Sequence, residues 1–193
     1  MDLIFATNNQ HKASEIANLL SDPWRVKSLA EIGFQQEVPE TGTTLEANAL
    51  QKARFIKKRL GKDCFADDTG LEIESLNGEP GVYSARYAGP EKDSNLNVRK
   101  VLTTMKDKSN RKARFRTVIA LIIGQKEMLF EGIVEGDILT EPTGEGGFGY
   151  DPIFKPIEAN VSFAEMPLSE KNIISHRGRA VRKLVEYLKT INQ

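Results

Sequence analysis

The chain has 193 residues, of which 39% are apolar and 28% charged, and 27 Lys and Arg balance 27 Asp and Glu to a net charge of zero. This composition suits an ordinary soluble chain, long enough for one α/β domain or two small lobes sharing a core, and it excludes a global basic field for gathering long nucleic acids. No apolar run approaches the roughly 20 residues needed to cross a bilayer, no secretory segment is legible, and the single cysteine, Cys64, excludes an internal disulfide and points to a reducing cytoplasm.

Leu3-Ile4-Phe5-Ala6 reads as a short buried strand, followed by the polar turn Thr7-Asn8-Asn9-Gln10. A helix begins near His11, with Ala13, Ile16, Ala17 and Leu20 on one face. Trp24 to Leu29 is a second strand, and Glu31 to Gly42 a loop. Thr43 and Glu46 fit a capping box that starts the next helix. Leu45, Ala49, Ala53, Ile56 and Leu60 form its apolar stripe, while Lys52, Lys57, Lys58 and Arg59 read as a solvated face. A third strand carries Cys64-Phe65-Ala66 into the adjacent carboxylates Asp67 and Asp68, then Thr69-Gly70, after which Leu71 to Glu74 resumes strand-like alternation. Cys64 reads as a core residue. Asn77-Gly78 marks a tight turn.

Ser94 to Met105 is a helix with Val98, Val101, Leu102 and Met105 inward. Phe115 to Gly124 and Met128 to Leu139 pair as a hairpin, with Gln125-Lys126 as its turn. Thr143 to Tyr150 is Gly-rich, and a final helix runs from about Ser175, burying Val181, Leu184, Val185, Leu188 and Ile191. Strands alternating with helices and then a long hairpin predict an α/β fold with a mixed sheet. No linker or repeat divides the chain, so residues 1–193 are expected to form a single domain.

Two like charges side by side at the end of a buried element lose hydration and repel one another unless a cation or hydrogen-bond donors compensate. A divalent metal is the simplest compensator, and Mg²⁺ prefers carboxylate and phosphate oxygens. The alternative is a solvated Asp-Asp-Thr-Gly turn. Thr7 to Lys12 is either an anion site, with a helix N-terminus and the Lys12 charge, or an N-capping turn. Glu40 is a further metal ligand or a solvated loop acid. Gly144 to Gly149 matches G-x-G-x-x-G, yet Tyr150-Asp151-Pro152 follows where a dinucleotide fold needs a helix, so that reading is rejected. The loop presents Phe148 for stacking on a nucleobase, or is a glycine turn around a core Phe. Lys171, His176 and Arg177 either converge on a ligand or are structural. Two histidines and one cysteine leave no common zinc site, and no Walker or nucleophile-elbow motif occurs.

Taken in order, Thr7-x-Asn9-x-x-Lys12, Glu40-Thr41-Gly42, Ala66 to Leu71, Pro80 to Tyr87, Gly146 to Pro152 and Ser175-His176-Arg177-Gly178 resemble the inosine triphosphate pyrophosphatase family, the Ham1-like non-canonical purine NTP pyrophosphatases. The resemblance spans essentially the whole chain. It implies a mixed, elongated central β-sheet flanked by helices in two lobes with the active-site cleft between them. The implied activity is hydrolysis of ITP, dITP and XTP to monophosphate and pyrophosphate, with Mg²⁺ as cofactor and a homodimer as the assembly. It assigns Asp68 as general base and metal ligand, with Glu40 and Asp67 as further metal or supporting acids. It assigns Thr7, Asn8, Asn9, Gln10, His11, Lys12, Thr69, Phe148, Gly149, Tyr150, Asp151, Lys171, His176 and Arg177 to nucleotide contact. Thr69 stands where many members carry Ser and keeps the hydroxyl, and Asn8 stands where Gly is frequent. Two other readings compete: a Maf-like pyrophosphatase of different base specificity, and a non-catalytic nucleotide- or RNA-binding module using the basic run from Lys106 to Arg116.

Overall fold

Strand β1, Asp2–Phe5, pairs in parallel with β2, Arg25–Ser28, on one side and with β3, Cys64–Ile73, on the other. The structure, a computed structural model, describes residues 2–17 and 24–191. Leu20 and the side chain of Ala17 lie outside the described residues. The sheet continues through β5, Lys112–Ile123, β6, Lys126–Ile138, and β7, Phe154–Pro156, in the order β2-β1-β3-β5-β6-β7, while the short β4, Pro80–Gly81, pairs antiparallel with β3. Parallel and antiparallel pairings coexist, so the sheet is mixed as expected. Five α-helices are found among the described residues: α1 Gln10–Ala17, α2 Leu45–Leu60, α3 Ser94–Thr104, α4 Leu168–Ile174 and α5 His176–Thr190.

The chain divides into two compact units, neither of them one continuous stretch. The first comprises Met1–Asp68, Thr117–Gly132 and Arg177–Gln193, and the second Thr69–Arg116 and Ile133–His176. The first is built on Leu3, Phe5, Ile16, Phe65, Ile119, Leu121 and the α5 residues Val181, Leu184 and Leu188, with Phe5 and Phe65 stacked at 4.5 Å. The second packs Leu71, Ile73, Val98, Val101 and Met105 with Phe115, Phe154 and Phe163. Strands β3 and β5 and the α3 stripe thus bury the faces their patterns predict.

Four local expectations are corrected. Helix α2 is capped by Thr44, whose side chain accepts from the Ala47 N–H at 3.1 Å, and not by a Thr43–Glu46 box. The hairpin turn is Gly124-Gln125, because Gly124 takes the positive φ (58°) that a two-residue hairpin turn needs at its first central position. Ile191 lies past the end of α5 and is exposed. Most consequentially, β3 does not end at the acidic pair: Asp67, Asp68, Thr69 and Gly70 lie within one ten-residue strand. Lys12, Arg177, Lys52 and Asn48 compensate the two carboxylates where they stand, so no turn is needed to carry them into water.

Candidate active site

In the first unit β3 delivers Asp67 and Asp68 to an interior surface, 2% and 8% exposed respectively. Alternation along a strand points successive side chains to opposite faces, and the two carboxylates meet different partners. Asp67 accepts from Lys12 Nζ through Oδ1 at 2.9 Å and from Arg177 Nε through Oδ2 at 3.2 Å. Arg177, fully buried, also pairs through Nη1 with the buried Glu15 of α1. Asp68 faces Lys52 Nζ through Oδ1 at 3.2 Å and accepts from Asn48 Nδ2 through Oδ2 at 3.1 Å. Lys52 Nζ also pairs with Glu40 Oε1.

The turn before α1 is ordered by its own side chains. Thr7 Oγ1 accepts from the Asn9 N–H at 3.1 Å, and Asn9 Oδ1 from the Lys12 N–H at 3.1 Å. Asn8, Asn9, Gln10 and His11 are exposed, and Lys12 reaches inward to Asp67. Burial opposes ionisation of Asp67, but Lys12, Arg177 and Lys52 outweigh it and hold that carboxyl well below the usual range. Burial wins at Asp68: it is raised above its ordinary value although Lys52 and Lys12 pull it down. Burial also opposes the charge on Lys52, and Asp68, Glu40 and Asp67 reverse that effect and keep it an ammonium. The two neighbouring acids are therefore pushed apart in acidity, the pattern of a fixed counter-ion beside an acid poised for proton transfer.

In the second unit the glycine loop delivers another cluster. Asp151 Oδ2 accepts from the Phe148 N–H and from Lys171 Nζ, both at 2.7 Å. Gly147 takes φ 71°, and a Cβ there would come within 2.3 Å of Asp151 Oδ2, so the loop requires glycine at that point. Lys171 Nζ lies 5.0 Å from the centroid of the half-buried Phe148 ring. Tyr150 donates its hydroxyl to the Ser84 carbonyl at 2.8 Å, and Gly149 is part-exposed beside it. Thr69, part-exposed, follows Asp68 on β3. His176, at the start of α5, is buried with its ring 4.6 Å from Phe115 and nearly parallel to it. Only a three-residue 3₁₀ turn, Asp151–Ile153, follows the glycines, so the rejected dinucleotide reading stays rejected.

The motif order, both clusters and the fold converge on one family, whose Ham1 model matches residues 3–187. The chain belongs to the Ham1 family. A dITP/XTP pyrophosphatase of Flavobacterium psychrophilum is 50% identical over 98% of this chain and 100% of its own length. The same-named protein of Christiangramia forsetii is 53% identical, covering 97% and 99%, and that of Bacillus subtilis 49%, covering 97% and 96%. Among solved structures, a Ham1 protein of Staphylococcus aureus superposes with a TM-score of 0.89 at 38% identity, covering 98% of this chain and 99% of that one. One from Coxiella burnetii gives 0.90 at 38%, with the same coverage.

Within this Ham1 chain the structure gathers Lys12, Glu40, Asp67, Asp68 and Arg177 into one unit, and Phe148, Asp151 and Lys171 into the other. Three participants were not legible as such: Glu15, Asn48 and Lys52. Lys52 was expected on a solvated face, yet it is 5% exposed. The missed signal is helical spacing, since Asn48 and Lys52 stand one turn apart and border the apolar stripe at Leu45, Ala49 and Ala53. Cys64 is the core residue expected: its thiol is pushed up to about 12 by burial and donates to the Ala53 carbonyl at 3.2 Å.

A cation fits this donor set. Glu40 and Asp68 already converge on one positive centre, the Lys52 ammonium, whereas both Asp67 oxygens are engaged by Lys12 and Arg177. Among the described residues no three His, Cys, Asp or Glu side chains cluster as a ready-made metal cage. Mg²⁺ typically takes one or two carboxylates and completes its shell with water and substrate phosphate.

Proposed function

We propose that this protein hydrolyses non-canonical purine nucleoside triphosphates of the dITP, XTP and ITP class to the monophosphate and pyrophosphate. The observation that carries the reading is the buried cluster around the acidic pair. Among the described residues the carboxylates Glu15, Glu40, Asp67 and Asp68 meet the side chains of Lys12, Lys52 and Arg177 in one buried network. Such a cluster suits a divalent cation followed by a polyphosphate. The dITP/XTP pyrophosphatase names of the full-length relatives support the same reaction.

In this reading Glu40 and Asp68 would hold Mg²⁺, which would supply Lewis-acid polarisation of phosphate oxygens. Asp67 is the fixed counter-ion that aims Lys12 and Arg177. Asp68, raised by burial, accepts the proton of the water that attacks the α-phosphorus, and the bond to the pyrophosphate leaving group breaks. Lys12, in the first turn of α1, and the N–H groups at that helix start carry the growing negative charge, with Thr7, Asn8, Asn9, Gln10 and His11 forming the turn around them. Thr69 offers a hydroxyl to the same phosphate chain.

Base selection is assigned to the second unit. Phe148 is the stacking face, and Lys171, held by Asp151 close to that ring, is the donor for a 6-oxo group. Gly149 and Tyr150 set the loop, and His176 supports it from the aromatic core. Arg177, paired with Glu15 and Asp67, is assigned instead to the acidic cluster of the first unit. Adenine presents a 6-amino donor to Lys171 and leaves a buried pair mismatched, a cost of about 1–3 kcal/mol. Phe148→Ala removes the stacking face and is expected to raise KM by about 5- to 100-fold with a smaller effect on kcat, as steady-state kinetics on dITP will read.

The deciding experiment is pyrophosphate release from dITP, XTP, ITP, GTP and ATP, each with Mg²⁺ and with EDTA. Turnover of dITP, XTP and ITP that is lost on chelation supports the reading, and equal rates for ATP and dITP remove base selection from it. Part of the basic run behind the RNA-binding alternative is engaged within the fold: Arg114 and Arg116 pair with Glu72, and Arg111 donates to the Met105, Ile138 and Leu139 carbonyls. A homodimer is proposed on the family resemblance, and light scattering against the 21.5 kDa chain mass tests it. A cytoplasmic location is proposed from the lone, buried thiol. Among the described residues no helix is long and apolar enough to cross a membrane.

A further inference from the structure

We propose that Asn48 is a positioning residue that locks the Asp68 carboxylate and the Glu40 loop into one geometry; the inference rests on the reading of Asp68 as the catalytic base. Asn48 is 1% exposed on α2. Its carboxamide serves two masters at once. Oδ1 accepts from the Gly42 N–H at 2.7 Å, and Nδ2 donates to Asp68 Oδ2 at 3.1 Å. One turn on, Gln51 Oε1 accepts from the Thr41 N–H at 2.9 Å and its Nε2 donates to Thr41 Oγ1 at 2.8 Å, while Lys52 reaches Glu40 and Asp68. Residues 48, 51 and 52 share one helix face at i, i+3 and i+4, so a single turn of α2 grips Glu40, Thr41 and Gly42 in succession. The loop lies so close that a Cβ on Gly42 would stand 2.8 Å from both Ala47 Cβ and Asn48 Oδ1.

The consequence for Asp68 is orientational. Lys52 engages Oδ1 and Asn48 engages Oδ2, so the plane of the carboxylate is fixed from two sides. Lys52 is a point charge on a flexible stem and leaves rotation about its own contact free. The planar carboxamide removes that freedom. Only a side chain with a donor and an acceptor on one short planar group can do both tasks. Asp keeps the acceptor for Gly42 and loses the donor to Asp68; Ala loses both.

The test compares wild type with Asn48→Asp, Asn48→Ala and Gln51→Ala, measuring kcat and KM on dITP, thermal midpoint, and hydrogen exchange at the Gly42 amide by NMR. Asn48→Asp is expected to keep Gly42 protected while kcat falls about 100-fold and KM for dITP moves no more than about threefold, the signature of a misaligned reacting group. Asn48→Ala shows the same kcat loss together with faster exchange at Gly42, and adds no charge should the second carboxylate unfold the chain. Gln51→Ala, which loosens the loop without touching Asp68, keeps kcat within about threefold of wild type. The proposal is overturned if Asn48→Asp and Asn48→Ala retain near-wild-type kcat, or if Gln51→Ala loses as much as they do, since Asn48 then serves only as a loop anchor. A wild-type protein that releases no pyrophosphate from dITP, XTP or ITP overturns the reading beneath the proposal as well, whereas active wild type with equally active Asn48 variants overturns the positioning role alone.

Discussion

Asp68→Asn is expected to abolish pyrophosphate release and to leave the chain folded. The substitution keeps size and shape but removes the charge, and with it the carboxylate that converges with Glu40 on a single cation and is proposed to accept the proton of the attacking water. Losing a general base costs on the order of 10²–10⁴ in rate, and the lost metal ligand adds to that, so kcat on dITP is expected to drop at least about 1,000-fold. The fold has less at stake. Burial already raises Asp68 above its ordinary value, which means the interior disfavours its charge. A neutral amide there removes a desolvation cost while Glu40 continues to pair with Lys52. Circular dichroism melts together with a coupled pyrophosphate assay read both halves. A variant that keeps a tenth of the wild-type rate removes Asp68 from the mechanism.

Arg177→Met is expected to be the most destabilising single substitution at the site. Arg177 is fully buried and bridges Glu15 and Asp67. Removing one partner of a buried ionic group leaves the remaining carboxylates under-compensated, at a cost of about 3–5 kcal/mol. For a chain of this size that corresponds to a fall in Tm of roughly 6–20 °C. The sign with pH follows from Asp67. Its folded-state pKa is depressed, so its contribution to stability is present above the ordinary carboxylate range and is lost as pH falls toward the depressed value. The gap between wild type and Arg177→Met is therefore largest near neutrality and narrows in acid, where protonated Asp67 no longer needs a cation. Adding Glu15→Gln to Arg177→Met recovers part of the loss. Additive effects of the two substitutions in a double-mutant cycle would show that they do not form one ionic unit.

Much of this site was legible in the residues. The apolar stripe of α2, the inward face of α3, the strands on either side of Gly124 and the buried face of α5 follow from spacing alone, because a helix or strand with one apolar face has only one way to hide it. The acidic pair was recognised as chemically expensive, and so as a candidate site. Its placement was not legible: two adjacent carboxylates read as the end of a strand, because charge in a strand interior is unaffordable unless compensated. The compensating groups come from positions 55 and 110 residues away, Lys12 and Arg177, and no local window contains them. The polar stretch 168–174 also hid α4, since seven residues ending before Ser175 are too few for a periodic signal.

Lys52 and Asn48 show the division most plainly. By sequence they are polar positions bordering an apolar stripe, where a solvated lysine is the ordinary outcome. Their inward turn depends on the loop of Glu40, Thr41 and Gly42 and on β3 both reaching the same face of α2. The sequence by itself determined most of the elements, their apolar faces and the reaction class, because each depends on spacing, residue chemistry or motif order. Only the tertiary structure decided which charges share the interior, since the energy of a buried ion is set by neighbours distant in the chain.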